Sequence, residues 1–265
     1  CLNLEFCRQI TDPILSRLPV LPALTSLDLS HCDQITDLNP LANCMALTDL
    51  SLWGCHKIRD LRPLQRYTAL TNLNLTACHQ ITNEILRQLT NCMALTNLDL
   101  SVCTQITDLS PLASCTALTN LDFTACRQIT DLSPISNCIA LTSLNLSDCN
   151  KITDLSKISV LPKLKILNLC GCEQITDLNP LTSYTRLEKL NLMCCFGITD
   201  LNPLKNCTTL TSINLSFCYL ITNLSPLANC STLKSLDLSL CDEITDLSPL
   251  TNHPNLSNLI GPDGE

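Results

Sequence analysis

Twenty cysteines, four histidines and 24 acidic residues give this 265-residue chain material for thiol chemistry, soft-metal ligation or carboxylate acid–base catalysis. Spacing decides among them. Eleven cysteines recur in one column: Cys7, Cys32, Cys55, Cys78, Cys103, Cys126, Cys149, Cys172, Cys195, Cys218 and Cys241. Six form a second column, Cys44, Cys92, Cys115, Cys138, Cys207 and Cys230, and Cys1, Cys170 and Cys194 fall outside both. An odd column of eleven cannot pair completely, and parallel stacked side chains keep Cβ atoms beyond the ~3.8 Å that a disulfide needs. No Cys-x-x-Cys pair recurs at zinc spacing; Cys170-Gly-Cys172 and Cys194-Cys195 are too close. The first column therefore reads as a ladder of reduced, structural thiols, small and apolar, donating weakly to backbone groups. No metal and no cofactor is expected. Asp33, His56 and His79 share one column, where loop histidines are expected to be solvated rather than ligating.

Nine aspartates, Asp12, Asp37, Asp60, Asp108, Asp131, Asp154, Asp177, Asp200 and Asp246, close an Ile-Thr-Asp phrase, varied once to Ile58-Arg59-Asp60. Their shared column places them before a capped turn, so they are expected to bond backbone amides rather than to catalyse. No glycine-rich phosphate loop and no Ser/His/Asp set stands outside the repeat, and no enzyme is expected.

The elements that carry these residues come from an internal repeat. Leu24, Leu47, Leu70, Leu95, Leu118, Leu141, Leu164, Leu187, Leu210, Leu233 and Leu256 open the same phrase, 23 residues apart except for one step of 25. The alternation Leu27-Asp28-Leu29 predicts a short strand with leucines inward. Ile35 and its equivalents turn inward again. A Ser/Asn-Pro pair, such as Asn39-Pro40 or Ser110-Pro111, predicts a short helical or 3₁₀ turn with Ser or Asn as its cap and Pro in its first position. Thr11–Leu21 and Thr82–Asn91 lack that pair and have room for a longer helix. No unit can bury its leucines alone, so stacking must make the core. The composition agrees: 45% hydrophobic, only 3% aromatic and 15% charged, with a mean hydropathy of +0.22. A narrow core needs few bulky rings, and such a chain is not disordered. No apolar run reaches the ~18 residues of a membrane span, and a net charge of −8 argues against nucleic acid.

The phrase Cys-x-x-Leu-x-x-Leu-x-Leu-x-x-Cys-x-x-Ile-Thr-Asp, from Cys92 through Asp108 and again from Cys115 through Asp131, resembles the cysteine-containing leucine-rich repeats of F-box ubiquitin-ligase adaptors. Ile106–Ala113 and Ile221–Ala228 resemble internalins, which carry Asn where this chain has Cys. The resemblance spans the whole chain. It implies an α/β solenoid, a leucine-rich repeat horseshoe with a continuous parallel sheet on the concave face and short 3₁₀ or helical turns on the convex face. Residues 1–265 are expected to form a single domain of about eleven 23-residue repeats, the first and last incomplete. Because the chain starts inside a strand, it reads as part of a longer protein whose missing portion holds an effector module.

Binding is expected where the repeat loses its monotony. The outward strand column, Asn3, Asp28, Ser51, Asn74, Asp99, Asp122, Asn145, Asn168, Asn191, Asn214 and Asp237, reads as a polar carpet. Beyond it, large groups replace small or polar ones at Met193, Phe196, Phe217, Tyr219, Leu220 and Leu240, beside Cys170 and Cys194. A second set, Phe6, His31, Trp53, His56 and His79, contains the single tryptophan. Met193, Phe196, Phe217, Tyr219, Leu220 and Leu240 on the C-terminal ridge, with Trp53 and His31, are the expected partner contacts. The rival reading has Phe196, Phe217 and Tyr219 covering one another.

The expected function is a non-catalytic scaffold that binds a protein partner on its concave face and C-terminal ridge, as a monomer, without nucleic acid or membrane. The resemblance implies a ubiquitin-ligase substrate receptor or an intracellular effector. A regulatory repeat domain acting in cis on a larger enzyme, and a structural array without a natural ligand, stand as alternatives. Reduced thiols imply a cytoplasmic, reducing compartment, including delivery into a host cell. Sequons on the strand face at Asn74, Asn145 and Asn214 argue the same way.

Overall fold

A computed structural model describes residues 1–17, 21–251 and 253–263. After each strand, burial recurs every third residue: Leu29, Cys32, Ile35, Leu38, Leu41, Cys44 and Leu47 are all within 7% of complete burial. A chain that turns inward every three residues cannot form a long α-helix, whose period is 3.6. It coils around a narrow interior, and leucine, isoleucine and cysteine fill that interior. Phe123, Tyr67 and Tyr184 are the buried aromatics among the described residues.

The chain divides into two compact units. Unit one comprises Cys1–Ile129 with Asn137–Leu141. It carries β1 (Leu2–Asn3), β2 (Ser26–Asp28), β3 (Asp49–Ser51), β4 (Asn72–Asn74), β5 (Asn97–Asp99) and β6 (Asn120–Asp122). Each pairs in parallel with the next, leucine on leucine: Leu2 with Leu27, Leu27 with Leu50, Leu50 with Leu73, Leu73 with Leu98, Leu98 with Leu121. Unit two comprises Thr130–Ser136 with Thr142–Glu265. It carries β7 (Ser143–Asn145), β8 (Ile166–Asn168), β9 (Lys189–Asn191), β10 (Ser212–Asn214), β11 (Ser235–Asp237) and β12 (Asn258–Ile260), also parallel and in sequence order. Each unit is a leucine-rich repeat solenoid, as the phrase predicts. Constant register means that each repeat position becomes a straight column of side chains about 4.8 Å apart.

The return paths are 3₁₀ turns with proline near the start, such as Asn39–Leu41, Arg62–Arg66 and Ser110–Ser114 in unit one and Asn179–Ser183, Asn202–Asn206 and Ser225–Asn229 in unit two. The two longer repeats hold α1 (Asp12–Leu15) and α2 (Asn83–Leu86), the second extended by a 3₁₀ turn at Arg87–Leu89. One local expectation is corrected. The Ser or Asn before proline does not cap the turn; the aspartate two residues earlier does. Asp37 Oδ1 accepts the Asn39 N–H at 2.8 Å, and Asp108, Asp154, Asp177, Asp200 and Asp246 do the same two residues on. A carboxylate reaching over one residue satisfies the first free amide while leaving the proline ring its place. Hydrogen bonds from Arg62, Ser110 and Ser248 side chains, then from the same backbones, hold Asp60, Asp108 and Asp246 below the ordinary carboxylate range. In the longer repeats the acceptor moves: Asp12 and Asn83 take the amides of Thr36 and Asp37, and of Thr107 and Asp108, in the next repeat.

Candidate interaction surface

The ridge that follows the strands is built on a backbone feature without a clear sequence signal. The residue before each first-column cysteine has positive φ, between 56° and 71°: Phe6, His31, Gly54, Ala77, Val102, Ala125, Asp148, Gly171, Cys194, Phe217 and Leu240. Only Gly54 and Gly171 are glycines, although this conformation costs other residues roughly 1–2 kcal/mol. The turn offsets that cost by prolonging the ladder past the strand. The His31, Gly54, Ala77, Phe217 and Leu240 amides donate to Trp53, Thr76, Ser101, Ser239 and Pro262 carbonyls at 2.7–2.9 Å. The left-handed turn also lifts its own side chain outward, once per repeat.

Behind the ridge the thiols are neutral donors. Cys32 Sγ lies 3.2 Å from the Leu4 carbonyl, Cys55 Sγ 3.1 Å from Leu29, Cys172 Sγ 3.0 Å from Leu146 and Cys218 Sγ 3.1 Å from Leu192. Each thiol thus ties one repeat to its predecessor. Burial, reinforced by neighbouring cysteines, pushes the Cys55 thiol up to about 12 and Cys32 to about 11. Such groups are not nucleophiles at neutral pH. None of the twenty cysteines is joined to another in a disulfide. The second column is more than a packing position. Cys92, Cys138, Cys207 and Cys230 thiols approach the Leu64, Leu112, Leu181 and Leu204 carbonyls at 3.7 Å. Where tyrosine replaces cysteine, its hydroxyl takes over: Tyr67 donates to Leu41 at 2.6 Å and Tyr184 to Ile158.

The outward strand column is polar and mostly half-buried, and its oxygens are also used internally. Asp28 Oδ1 accepts the Ser30 amide, and Asn74, Asp99, Asp122, Asn168, Asn214 and Asp237 accept the amide two residues on, at 2.8–3.1 Å. Asn and Asp interchange here because the bend needs only an acceptor oxygen.

The expected contact residues lie in two clusters. In unit two, the Phe196 and Tyr219 rings stack at 5.6 Å, and Phe217 meets Tyr219 edge-on at 6.2 Å. Phe196, Tyr219, Leu220 and Leu240 remain exposed, Leu220 by 51%, while Met193 and Phe217 are half-buried. The rings cover one another and still present an apolar outer surface. In unit one, His31 is stacked on Phe6 at 4.5 Å and abuts Trp53 at 4.6 Å. His56 and His79 stack at 5.1 Å, each Nδ1–H donating to a backbone carbonyl, that of Ala77 at 2.9 Å and of Val102 at 3.2 Å. Arg8 stands 3.9 Å from Asp33. Among the described residues, no group of three or more His, Cys, Asp or Glu is arranged to hold a metal ion.

The strand face holds further candidates that the reading above passes over. In unit one the column beginning at Asp49 is an amide ladder: Asn72 donates to Asp49, Asn97 to Asn72 and Asn120 to Asn97. Beside it, Thr48, Thr71, Thr96 and Thr119 hydroxyls donate to the carbonyl of the preceding threonine at 3.0–3.2 Å. In unit two both ladders break. Lys165 and Glu188 replace threonine and pair at 2.8 Å, Ile166 and Lys189 replace the amide, and Lys163 and Arg186 replace alanine. The signal was legible as the lapse of Ala-Leu-Thr-x-Leu into Lys163-Leu-Lys-Ile-Leu167 and Arg186-Leu-Glu-Lys-Leu190.

Comparison with known proteins agrees with this geometry. A family model for leucine-rich repeats in two copies matches residues 94–137 and 139–183, and a leucine-rich repeat model matches 21–38 and 229–247. The chain is similar to the internalin InlF of Listeria monocytogenes, with 27% identity over 89% of this chain and 80% of that one, at a TM-score of 0.58. Internalin C2 of the same organism matches at 26% identity over 82% of each chain, TM-score 0.56. The functional domain of InlJ from Listeria monocytogenes, which includes a cysteine ladder, matches in fold at 22% identity over 89% of this chain and 57% of that one, TM-score 0.52. No curated protein matches the chain by sequence.

Proposed function

We propose that this chain, a leucine-rich repeat protein, is a non-catalytic scaffold that captures a protein partner on its strand face and on the ridge of unit two. The observation that carries this reading is the placement of Phe217 and Leu240. They are bulky side chains held at positive φ, where the fold would accept alanine or glycine, and they sit beside the exposed Phe196, Tyr219 and Leu220. A costly conformation combined with an exposed apolar cluster is the signature of a contact surface. Because ridge amides such as those of Cys194, Phe217 and Leu240, and strand-column oxygens such as those of Asn191 and Asn214, are already bonded internally, the surface is ordered before binding and little entropy opposes capture. Met193 joins this ridge, and Trp53 with His31 forms a smaller contact in unit one. The single domain expected from the unbroken repeat belongs to the same proposal, as does action as a monomer.

No helix among the described residues is long and apolar enough to cross a membrane. A reducing compartment is supported by the half-exposed Cys170 and Cys194, which oxidants would reach before the buried ladder. Similarity to internalins supports a bacterial effector over a ubiquitin-ligase receptor as the form of the scaffold.

The test is a quantitative pull-down with the chain immobilised, comparing it with the double variant Phe217→Ala, Tyr219→Ala. Partner recovery should fall about tenfold or more, with thermal unfolding still cooperative. An unchanged capture profile from a folded double variant sinks the ridge reading.

A further inference from the structure

The strand face of unit two carries a charge pattern that runs against the rest of the molecule. The chain has a net charge of −8. The strand-start positions of unit one, Ala46, Thr48 and Asp49 through Ala117, Thr119 and Asn120, contain no lysine or arginine. At the start of β8 and β9 of unit two and in the residues just before them, the same three columns hold Lys163, Lys165, Ile166, Arg186, Glu188 and Lys189. Parallel register sets Ile166 directly against Lys189, and the Glu188 and Lys189 amides both bond the Lys165 carbonyl at 2.8 and 2.9 Å. All four cations are exposed, and among the described residues only Lys165 has an anionic partner, Glu188. The outward column of these strands is neutral as well, with Asn145, Asn168, Asn191 and Asn214 where unit one has Asp28, Asp99 and Asp122. One strand beyond β10, Lys234 repeats the substitution for threonine.

Fold stability gives no reason for this cluster. It removes the threonine and amide ladders, which bond internally elsewhere, and sets like charges on neighbouring strands. Within it Ile166 is 39% exposed. Beside Arg186 lies a shallow recess of about 180 Å³ whose lining includes Val160, Pro162 and Tyr184. Cations around the exposed aliphatic Ile166, beside a recess of mixed polar and apolar lining, match a partner with carboxylates flanking an aliphatic side chain. Aromatic platforms for stacking bases are lacking at these strand positions, so the pattern suits an acidic protein segment better than a nucleic acid.

We infer that the strand face of unit two, through Lys163, Lys165, Arg186 and Lys189 around Ile166, binds an extended acidic segment of a protein, rich in Asp and Glu and carrying an aliphatic residue. This deepens the scaffold reading and rests on it, by giving the partner's chemistry at a surface other than the ridge.

A fluorescein-labelled peptide rich in Asp and Glu with two leucines is titrated with the whole chain by anisotropy. Its amidated Asn/Gln counterpart and a single-stranded oligodeoxythymidine serve as competing probes. The acidic peptide should bind, weaken about tenfold between roughly 50 and 300 mM salt as screening sets in, and outcompete both other probes. The variant Lys163→Glu, Arg186→Glu, Lys189→Glu should lose at least about tenfold in affinity, and the Lys189→Arg variant should retain it. The Phe217→Ala, Tyr219→Ala variant should bind the peptide normally, which separates this site from the ridge. Equal peptide affinity in a folded charge-reversed variant overturns the inference, as does salt-independent binding or preference for the oligonucleotide. A failed peptide titration with an intact ridge-dependent pull-down removes this site and leaves the scaffold reading standing.

Discussion

The two units share a core and differ on their strand faces. In unit one, Asn72, Asn97 and Asn120 hand a hydrogen bond down the column to Asp49, and four threonines bond the chain behind them. In unit two, the equivalent columns break into Lys165, Ile166, Glu188 and Lys189, whose outer atoms reach solvent or each other. The same leucine frame thus supports a surface that satisfies itself and a surface that leaves charge and apolar area unspent. The lesson is that a repeat needs identity only inside. Its outer columns are free to differ because nothing in the core depends on them.

The largest expected effect tests what the units share. Buried thiols such as Cys92 and Cys230, pushed up to about 11, and Cys55, Cys126, Cys172 and Cys218, pushed up to about 12, bind protons more tightly folded than unfolded. Their contribution is fully present below pH 9, the ordinary thiol value, and is lost as pH rises from there toward 12. Stability should fall by about 1.4 kcal/mol per pH unit for each such thiol, so urea midpoints measured under reductant should drop steeply above pH 9. Hydrogen exchange should show both units losing protection together. Flat midpoints to pH 11 would mean the thiols are not held neutral by burial.

Next come the two ridge glycines. Gly54 and Gly171 have nearly the same φ, +71° and +70°, but a Cβ at Gly54 would lie 2.6 Å from the His31 ring, while at Gly171 it would meet the Asp148 carboxylate. His31 is packed between Phe6 and Trp53, whereas a carboxylate can rotate away. Gly54→Ala should therefore cost about 2 kcal/mol and Gly171→Ala about 1, measured by denaturant midpoints. Adding His31→Ala should restore part of the first loss and none of the second. Equal costs would erase this difference between the units.

The smallest effect separates the strand faces themselves. Asn97→Ala removes both a donor and an acceptor from the amide ladder and should cost about 1 kcal/mol. Lys189→Ala, at the equivalent column of unit two, should change stability by less than about 0.5 kcal/mol. A Lys189 variant as costly as Asn97→Ala would show that the charged face is structural after all.

Much of the fold was legible because leucines at constant spacing can be buried in only one way. Leu27, Leu50 and Leu73 announce strands, and the cysteine column follows from its fixed offset. The candidate site was legible only in part. Phe217 and Tyr219 stand out against a monotonous column. The left-handed turn beneath Phe217 and Leu240 does not, because bulky residues mask the glycine signal that Gly54 and Gly171 carry. The capping aspartates were recognised as amide acceptors, but Asn39 and Ser110 looked equally good by type. Geometry two residues away decided for Asp37 and Asp108.

What the chain's letters determined alone was the repeat, the inward columns and the absence of bulk from the core, since those follow from periodicity and side-chain volume. The tertiary structure decided which polar atoms are free. An Asn that looks exposed in the alternation of a strand, such as Asn74, lends its oxygen to the Thr76 amide, and a thiol such as Cys55 spends its proton on Leu29 of the neighbouring repeat. The first bond is local to the bend after the strand, while the thiol bonds and the amide ladder join residues 23 to 28 positions apart and depend on register in space. They withdraw most of the polar face from recognition and leave the aromatic ridge and the Lys165–Lys189 cluster as the surface with chemistry to offer.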